Sequence, residues 1–255
     1  MAAEMTQWLA DVDWSSVTAG GKYVAAGIAM GFGAIGAGVG EGYTAGQTVE
    51  RIARQPAASG ELTRSMLVGQ AIAETSGIFA LVIAFILMFT DPEPSMEVTG
   101  AFLGAGFAIG FGALGSGIGA GIAAGKAADS IGRNPRAQGT VTVTMLLGQA
   151  LATSPAVFAL VVSVILVFAQ QFQRYLGNDL VVATAALSAG LCIGAGAIGP
   201  GYGTGLAAAG ACEGVGRNPE ANTLLTRVML VGGAVSQSTC IYSFVIAFIL
   251  IFFIA

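Results

Sequence analysis

Two carboxylates, Glu41 and Glu74, fall deep inside long apolar runs of a 255-residue chain that is 55% hydrophobic and 9% charged. A carboxylate held in the middle of a bilayer is expensive unless it is paired or solvated, so such residues are functional candidates by default. Removed from water, a carboxylate disfavours charge and holds a proton or a cation; facing a fixed positive charge, it releases that cargo. The chemistry on offer is reversible ion carriage. Sodium prefers hard oxygen ligands, which Glu74, Thr75 and a backbone carbonyl supply, whereas a proton needs only the carboxylate. Thr75 and the adjacent Ser76 favour sodium.

Other chemistries find little support. Histidine is absent, which removes the commonest general base and metal ligand. Cys192, Cys212 and Cys240 are widely spaced, odd in number and set among small apolar residues. They form no metal-ligand pattern and read as small buried side chains. No nucleophile–base pair or phosphate-binding loop is present, so the chain is not expected to be an enzyme by itself, to hold a cofactor or to bind nucleic acid.

The elements that position the carboxylates must be membrane helices. Six apolar stretches reach the roughly 20 residues a bilayer demands, at about 23–50, 64–89, 98–130, 141–169, 180–212 and 223–254. Residues 1–19 lack the pattern of a cleaved leader. Met5, Trp8, Leu9 and Val12 give them one helical face, which suggests an interfacial anchor. Arg51, Arg54, Arg64, Lys126, Arg133, Arg136, Arg217 and Arg227 flank the loops after the first, third and fifth spans. Only Lys22 and Arg174 lie on the other side, with Glu4, Asp11, Asp13, Asp91, Glu93, Glu97 and Asp179. The excess of basic residues places those loops in the cytoplasm and both termini outside.

The spans fall into three repeats. Arg54-Gln55-Pro56, Arg133-Asn134-Pro135 and Arg217-Asn218-Pro219 recur at spacings of 79 and 84 residues. Before each loop runs an alternating glycine tract, beginning at Gly36, Gly115 and Gly199. After each comes Gly69-Gln70-Ala71, Gly148-Gln149-Ala150 or Gly232-Gly233-Ala234. Three parallel hairpins follow, over 20–90, 98–169 and 180–254. Asp91-Pro92-Glu93-Pro94 and the stretch from Gln170 to Asp179 link them.

Successive helical residues turn by ~100°, so Gly36 and Gly40 share one flank while Gly38, Gly42 and Gly46 share the opposite one. A helix smoothed on both sides suits a closed ring of like neighbours. The second helix of each hairpin is bulkier, with Ile78, Phe79, Leu81, Val82 and Phe85 in the first. Small helices would form an inner circle and large ones an outer circle against lipid, a concentric double ring. Glu41 lies 13 residues before Arg54, and Glu74 lies 13 residues after Glu61. Both are expected roughly 20 Å from the loop end, in one layer.

In their fixed order, Gly36-Ala37-Gly38-Val39-Gly40-Glu41-Gly42, Arg54-Gln55-Pro56 and Gly69-Gln70-Ala71-Ile72-Ala73-Glu74-Thr75 resemble the c subunit of the rotor ring of F- and V-type rotary ATPases, closest to its sodium-dependent branch. The resemblance extends over all three hairpins. It implies an all-α ring protein that carries Na+ or H+ between two half-channels while partner subunits make or hydrolyse ATP. The implied partners are other copies of the chain or single-hairpin ring subunits, a stator with an essential arginine, the central stalk, and lipid. The implied setting is a bacterial cytoplasmic membrane. Glu74 matches the essential carboxylate, Thr75 the neighbouring hydroxyl and Ile72 a backbone carbonyl. Glu41 stands where sodium-type members hold a glutamine or a second carboxylate, with Gln70 and Ser76 in support. Phe79 replaces a tyrosine that sodium-type members often place there. The three Arg-x-Pro loops would face the stalk.

The other repeats depart from the pattern. Glu74 corresponds to Thr153 and Gln237, and Glu41 to Ala120 and Thr204. Pro155 adds a helix-disturbing residue beside the vacant position. One carboxylate site per three hairpins implies fewer ions per turn, which suits an ATP-driven pump. In the family the site lies between adjacent hairpins, which leaves open whether Glu41 and Glu74 of one hairpin share it. Gln70, Gln149 and Gln237 also read as plain interhelical ties. A passive channel and a structural proteolipid oligomer are the rival readings.

Overall fold

The computed structural model describes residues 12–168 and 179–254. Its six long helices are α1 (Trp14–Arg54), α2 (Ser59–Phe89), α3 (Met96–Arg133), α4 (Gln138–Phe168), α5 (Asp179–Arg217) and α6 (Asn222–Ile249). A π-helical turn over Leu250–Ile254 continues α6, and no strand occurs among the described residues. All six helices are long and apolar enough to cross a membrane. The fold is all-α, as expected, in three tandem hairpins.

The hairpin loops are one solution used three times. A residue before proline is pushed out of the helical region; Gln55, Asn134 and Asn218 adopt φ of −142°, −138° and −138° with ψ of 72°, 82° and 87°. Each ends its helix while its own N–H still donates four residues back, to Arg51, Ser130 and Gly214. The proline then opens a single 3-10 turn that leads into the second helix.

The odd-numbered helices exceed the expected spans. At 1.5 Å per residue, the 41 residues of α1 extend roughly 60 Å, about twice the hydrocarbon thickness. Their ends therefore project beyond the apolar layer. Val12 lies in a bend and Trp14 already belongs to α1. The remaining anchor residues Met5, Trp8 and Leu9, and most of the second linker, lie outside the described residues.

Glycine sets the layout. A Cβ added to Gly36 would stand 2.5 Å from Leu114 Cα, and one on Gly115 would stand 2.5 Å from Ile198 Cα. Gly117 and Gly201 return these contacts against Gly36 and Gly115. So α1, α3 and α5 stand side by side with backbones touching, α3 in the middle. The larger helices form a second row: Gly69 of α2 abuts Ala124 of α3, and Gly148 of α4 abuts Ala208 of α5. Burial follows position, with 72% of the α3 span enclosed and only 22% of the α6 span.

Away from the loops, Lys22 pairs with Asp91 at 2.9 Å, and Thr18 meets Thr99 at 3.0 Å. At the loop end, Asp129 is buried and bridges Arg51 of α1 and Arg133 of its own helix. Asp129 is an enclosed carboxylate that the reading of Glu41 and Glu74 overlooked. Its signal was present in Glu50-x3-Arg54, Asp129-x3-Arg133 and Glu213-x3-Arg217, each an i,i+4 ion pair.

Candidate ion-carrying site

Glu41 on α1 and Glu74 on α2 lie near one another along the first hairpin. The side chain of Gln70 donates to the Glu41 carbonyl at 3.0 Å, fixing the level at which the two helices meet. Glu74 follows one turn deeper and faces outward, while Glu41 is half-buried.

The supporting residues divide. Thr75 is half-buried and its hydroxyl donates to Ala71 O at 3.0 Å; Ile72 is half-buried beside it. Ser76 is fully buried and donates to Ala73 O at 2.9 Å.

The second and third hairpins display the same layer without carboxylates. Gln149 is fully buried and donates to Ala120 O at 3.0 Å, repeating the Gln70–Glu41 bond, and to Gly69 O of the preceding hairpin at 2.8 Å. Thr153, in the place of Glu74, spends its hydroxyl on Gln149 O and Ala150 O. Thr204, in the place of Glu41, bonds Pro200 O and Gly201 O.

Gln237 occupies the place of Glu74 in the third hairpin. It is 9% exposed and donates to Leu151 O of the preceding outer helix at 2.6 Å. Leu151 stands where the first hairpin has Ile72. Pro155 explains the free acceptor: lacking an N–H, it leaves the carbonyl four residues back without its helical donor. Pro155 does not interrupt α4, which runs unbroken from Gln138 to Phe168. The next amide, Ala156 N–H, donates to Ser116 Oγ of α3 at 3.1 Å.

The cysteines are free, Cys212 and Cys240 buried and Cys192 half-buried. No cluster of three or more metal-binding side chains occurs among the described residues. In the loops, Arg54 and Arg217 are exposed and paired within their helices to Glu50 and Glu213, and Asn134 donates to Gly216 O at 3.1 Å. Gln55 and Pro135 are half-buried, while Pro56, Asn218 and Pro219 are exposed.

The family of the ATP synthase c subunit matches three stretches, residues 24–87, 103–166 and 187–250. Among similar proteins, the ATP synthase c subunit of Natranaerobius thermophilus is 48% identical over 81 residues, which are 32% of this chain and 93% of that protein. The namesake from Alkaliphilus oremlandii is 52% identical over 69 residues, 27% of this chain and 77% of its own. The chloroplastic namesake from Ostreococcus tauri is 51% identical over 69 residues, 27% of this chain and 84% of its own. Each relative is therefore about one hairpin long.

Proposed function

This chain belongs to the family of the ATP synthase c subunit, and we propose that its copies close into a rotor ring in which Glu74 carries the ion, Na+ in preference to H+. It is an integral membrane subunit and not the catalytic one. ATP chemistry belongs to partner subunits.

The carrying observation is that the two ends of the helix row are unfinished halves of its internal seam. Inside the chain, Gly36 meets Leu114 and Gly115 meets Ile198. The third member of that series, Gly199, has nothing within 4 Å, and Ile35, in the place of Leu114 and Ile198, is exposed. Likewise Gly69 meets Ala124 and Gly148 meets Ala208, while Gly232 stands open. A second copy set with its α1 against the free side of α5 would supply Ile35 to Gly199 and Ala45 to Gly232. Repeated, this contact gives a ring with small helices inside and large ones toward lipid.

The same construction bears on the ion. Gln237 reaches back to the outer helix before its own. By the same geometry Glu74 reaches α6 of the preceding copy, where Val235 stands in the place of Leu151. The site is then Glu74 and Thr75 of one copy, closed by α6 of the preceding copy around Val235. The Ile72 carbonyl belongs to the seam inside the chain. Glu41, half-buried on the first helix of the same hairpin, serves as the further oxygen ligand. These oxygens suit sodium. A stator arginine would favour the charged carboxylate and discharge the ion. With one site per three hairpins, each ion crossing 100 mV against ~2.3 kcal/mol draws on a larger share of a turn, which favours pumping. The basic loops face the cytoplasmic stalk, and both termini lie outside.

Carbodiimide attacks protonated carboxyls in apolar settings. Applied to the assembled protein across pH, with the modified residue read by mass spectrometry, it should label Glu74, and sodium should suppress the labelling. Labelling that follows pH but ignores sodium makes the cargo a proton. Absence of labelling at Glu74 removes the assignment and favours a structural oligomer.

A further inference from the structure

The two seams of the outer row differ at their loop ends. Between α4 and α6, the Thr144 hydroxyl meets Asn222 Oδ1 at 3.1 Å and Thr226 meets the same oxygen at 3.1 Å. Three polar side chains close that seam. Between α2 and α4 the corresponding positions are Ser65, Gln138 and Thr142, and the knot is missing. Ser65 Oγ is buried and has no hydrogen-bond partner, a costly condition inside a membrane protein.

Beside it lies a cavity of about 410 Å³, lined by Arg64, Ser65 and Val68 of α2 and by Gln138, Thr142 and Leu146 of α4. Its volume falls within the range of small-ligand sites. Arg64 is exposed and pairs with no carboxylate among the described residues. In the closed seam its place is taken by Val143. The cavity is graded along the helices: Arg64 and Gln138 lie toward the loops, while Val68 and Leu146 lie one and two turns deeper.

We propose that this seam holds one anionic phospholipid. Its phosphate sits against the Arg64 guanidinium, the partner best matched to phosphate oxygens, and accepts a hydrogen bond from Ser65 Oγ. Its acyl chain descends over Val68 and Leu146. A cation at the headgroup level above an apolar cleft between helices is the arrangement that recognises such lipids. The occupant restores at the first seam what Asn222 supplies at the second. The site stands apart from the carboxylate layer and needs only that the chain spans a bilayer.

Native mass spectrometry of the assembled protein in mild detergent tests this, with phosphatidylglycerol and phosphatidylcholine of matched acyl chains. One phosphatidylglycerol per chain should be retained, in preference to phosphatidylcholine. Arg64→Gln should weaken retention about tenfold or more. Gly139 also lines the cavity, and a Cβ there meets nothing within 4 Å, so Gly139→Leu should exclude the lipid without disturbing the fold. Equal retention of both lipids, or unchanged retention in both variants, overturns the proposal. Displacement by millimolar inorganic phosphate would likewise overturn it, making the site one for the free anion.

Discussion

The amide of Gln237 is hydrogen-bonded to the carbonyl of Leu151 across the seam between the second and third hairpins, at 2.6 Å. The acceptor is free because the residue four positions on is Pro155. The amide thus occupies, with a permanent donor, the position where the first hairpin presents the Glu74 carboxylate.

Gln237→Leu should therefore destabilise the protein by about 1–2 kcal/mol, the loss of one interhelical bond plus a stranded carbonyl. Adding Pro155→Ala should recover most of that loss, because the new alanine brings back an N–H that serves as helical donor to Leu151. Unfolding by SDS titration of the two variants measures both steps; no recovery would show that the carbonyl is not the shared element.

Gly115 and Gly199 hold the same place in successive repeats, yet one is enclosed and the other open. Gly115→Ala should disrupt packing within the chain, at about 1–3 kcal/mol for overpacking. Gly199→Ala should leave the single chain folded and impair only its assembly. Comparing helicity with assembled mass separates the two. Equal behaviour would argue against a second copy at the free side of α5.

Asp129 is buried between Arg51 and Arg133. Removing one partner of an enclosed ion pair leaves the other uncompensated, so Asp129→Ala should cost roughly 3 kcal/mol. The exposed Glu50→Ala, facing Arg54, should cost less than about 1 kcal/mol. Unfolding midpoints of the two variants decide between them.

Asp13 caps α1, accepting from the Ser15 and Ser16 amides at 3.1 and 3.5 Å and from both hydroxyls. These bonds hold its carboxyl at about 2, below the ordinary 3.8. A carboxylate lowered on folding stabilises above its unfolded value and loses that effect as pH falls through the folded one. Amide exchange at Ser15 and Ser16 should accelerate as the pH drops from about 4 to 2, relative to exchange at mid-α1. Asp13→Ala should show no such response.

The hairpins, the shared loop chemistry and the opposed glycine flanks were legible in the sequence because each is a local pattern, repeated three times. What remained hidden depends on pairs distant in the chain. Gln237 and Leu151 are separated by 86 residues, and only packing reveals that Pro155 frees the carbonyl the glutamine takes. Pro155 read as a disturbance because the rule concerns a lone helix, and here a neighbour supplies the missing donor. Asp129 was missed because it lies among arginines at a helix end, where charge looks solvated. The cavity at Ser65 is an absence of contact, which no one-dimensional pattern records.

The closed and open seams carry a consequence for how such a molecule can change. A circle of separately made, identical hairpins has a single design for every junction, so any substitution is copied all the way round and must suit all positions at once. Tethering three hairpins in a fixed order lifts that degeneracy. Pro155 with Gln237 at one junction, and Ser65 with Arg64 at another, are solutions that no uniform circle could adopt singly. Fusion turns one junction into several, each free to diverge on its own.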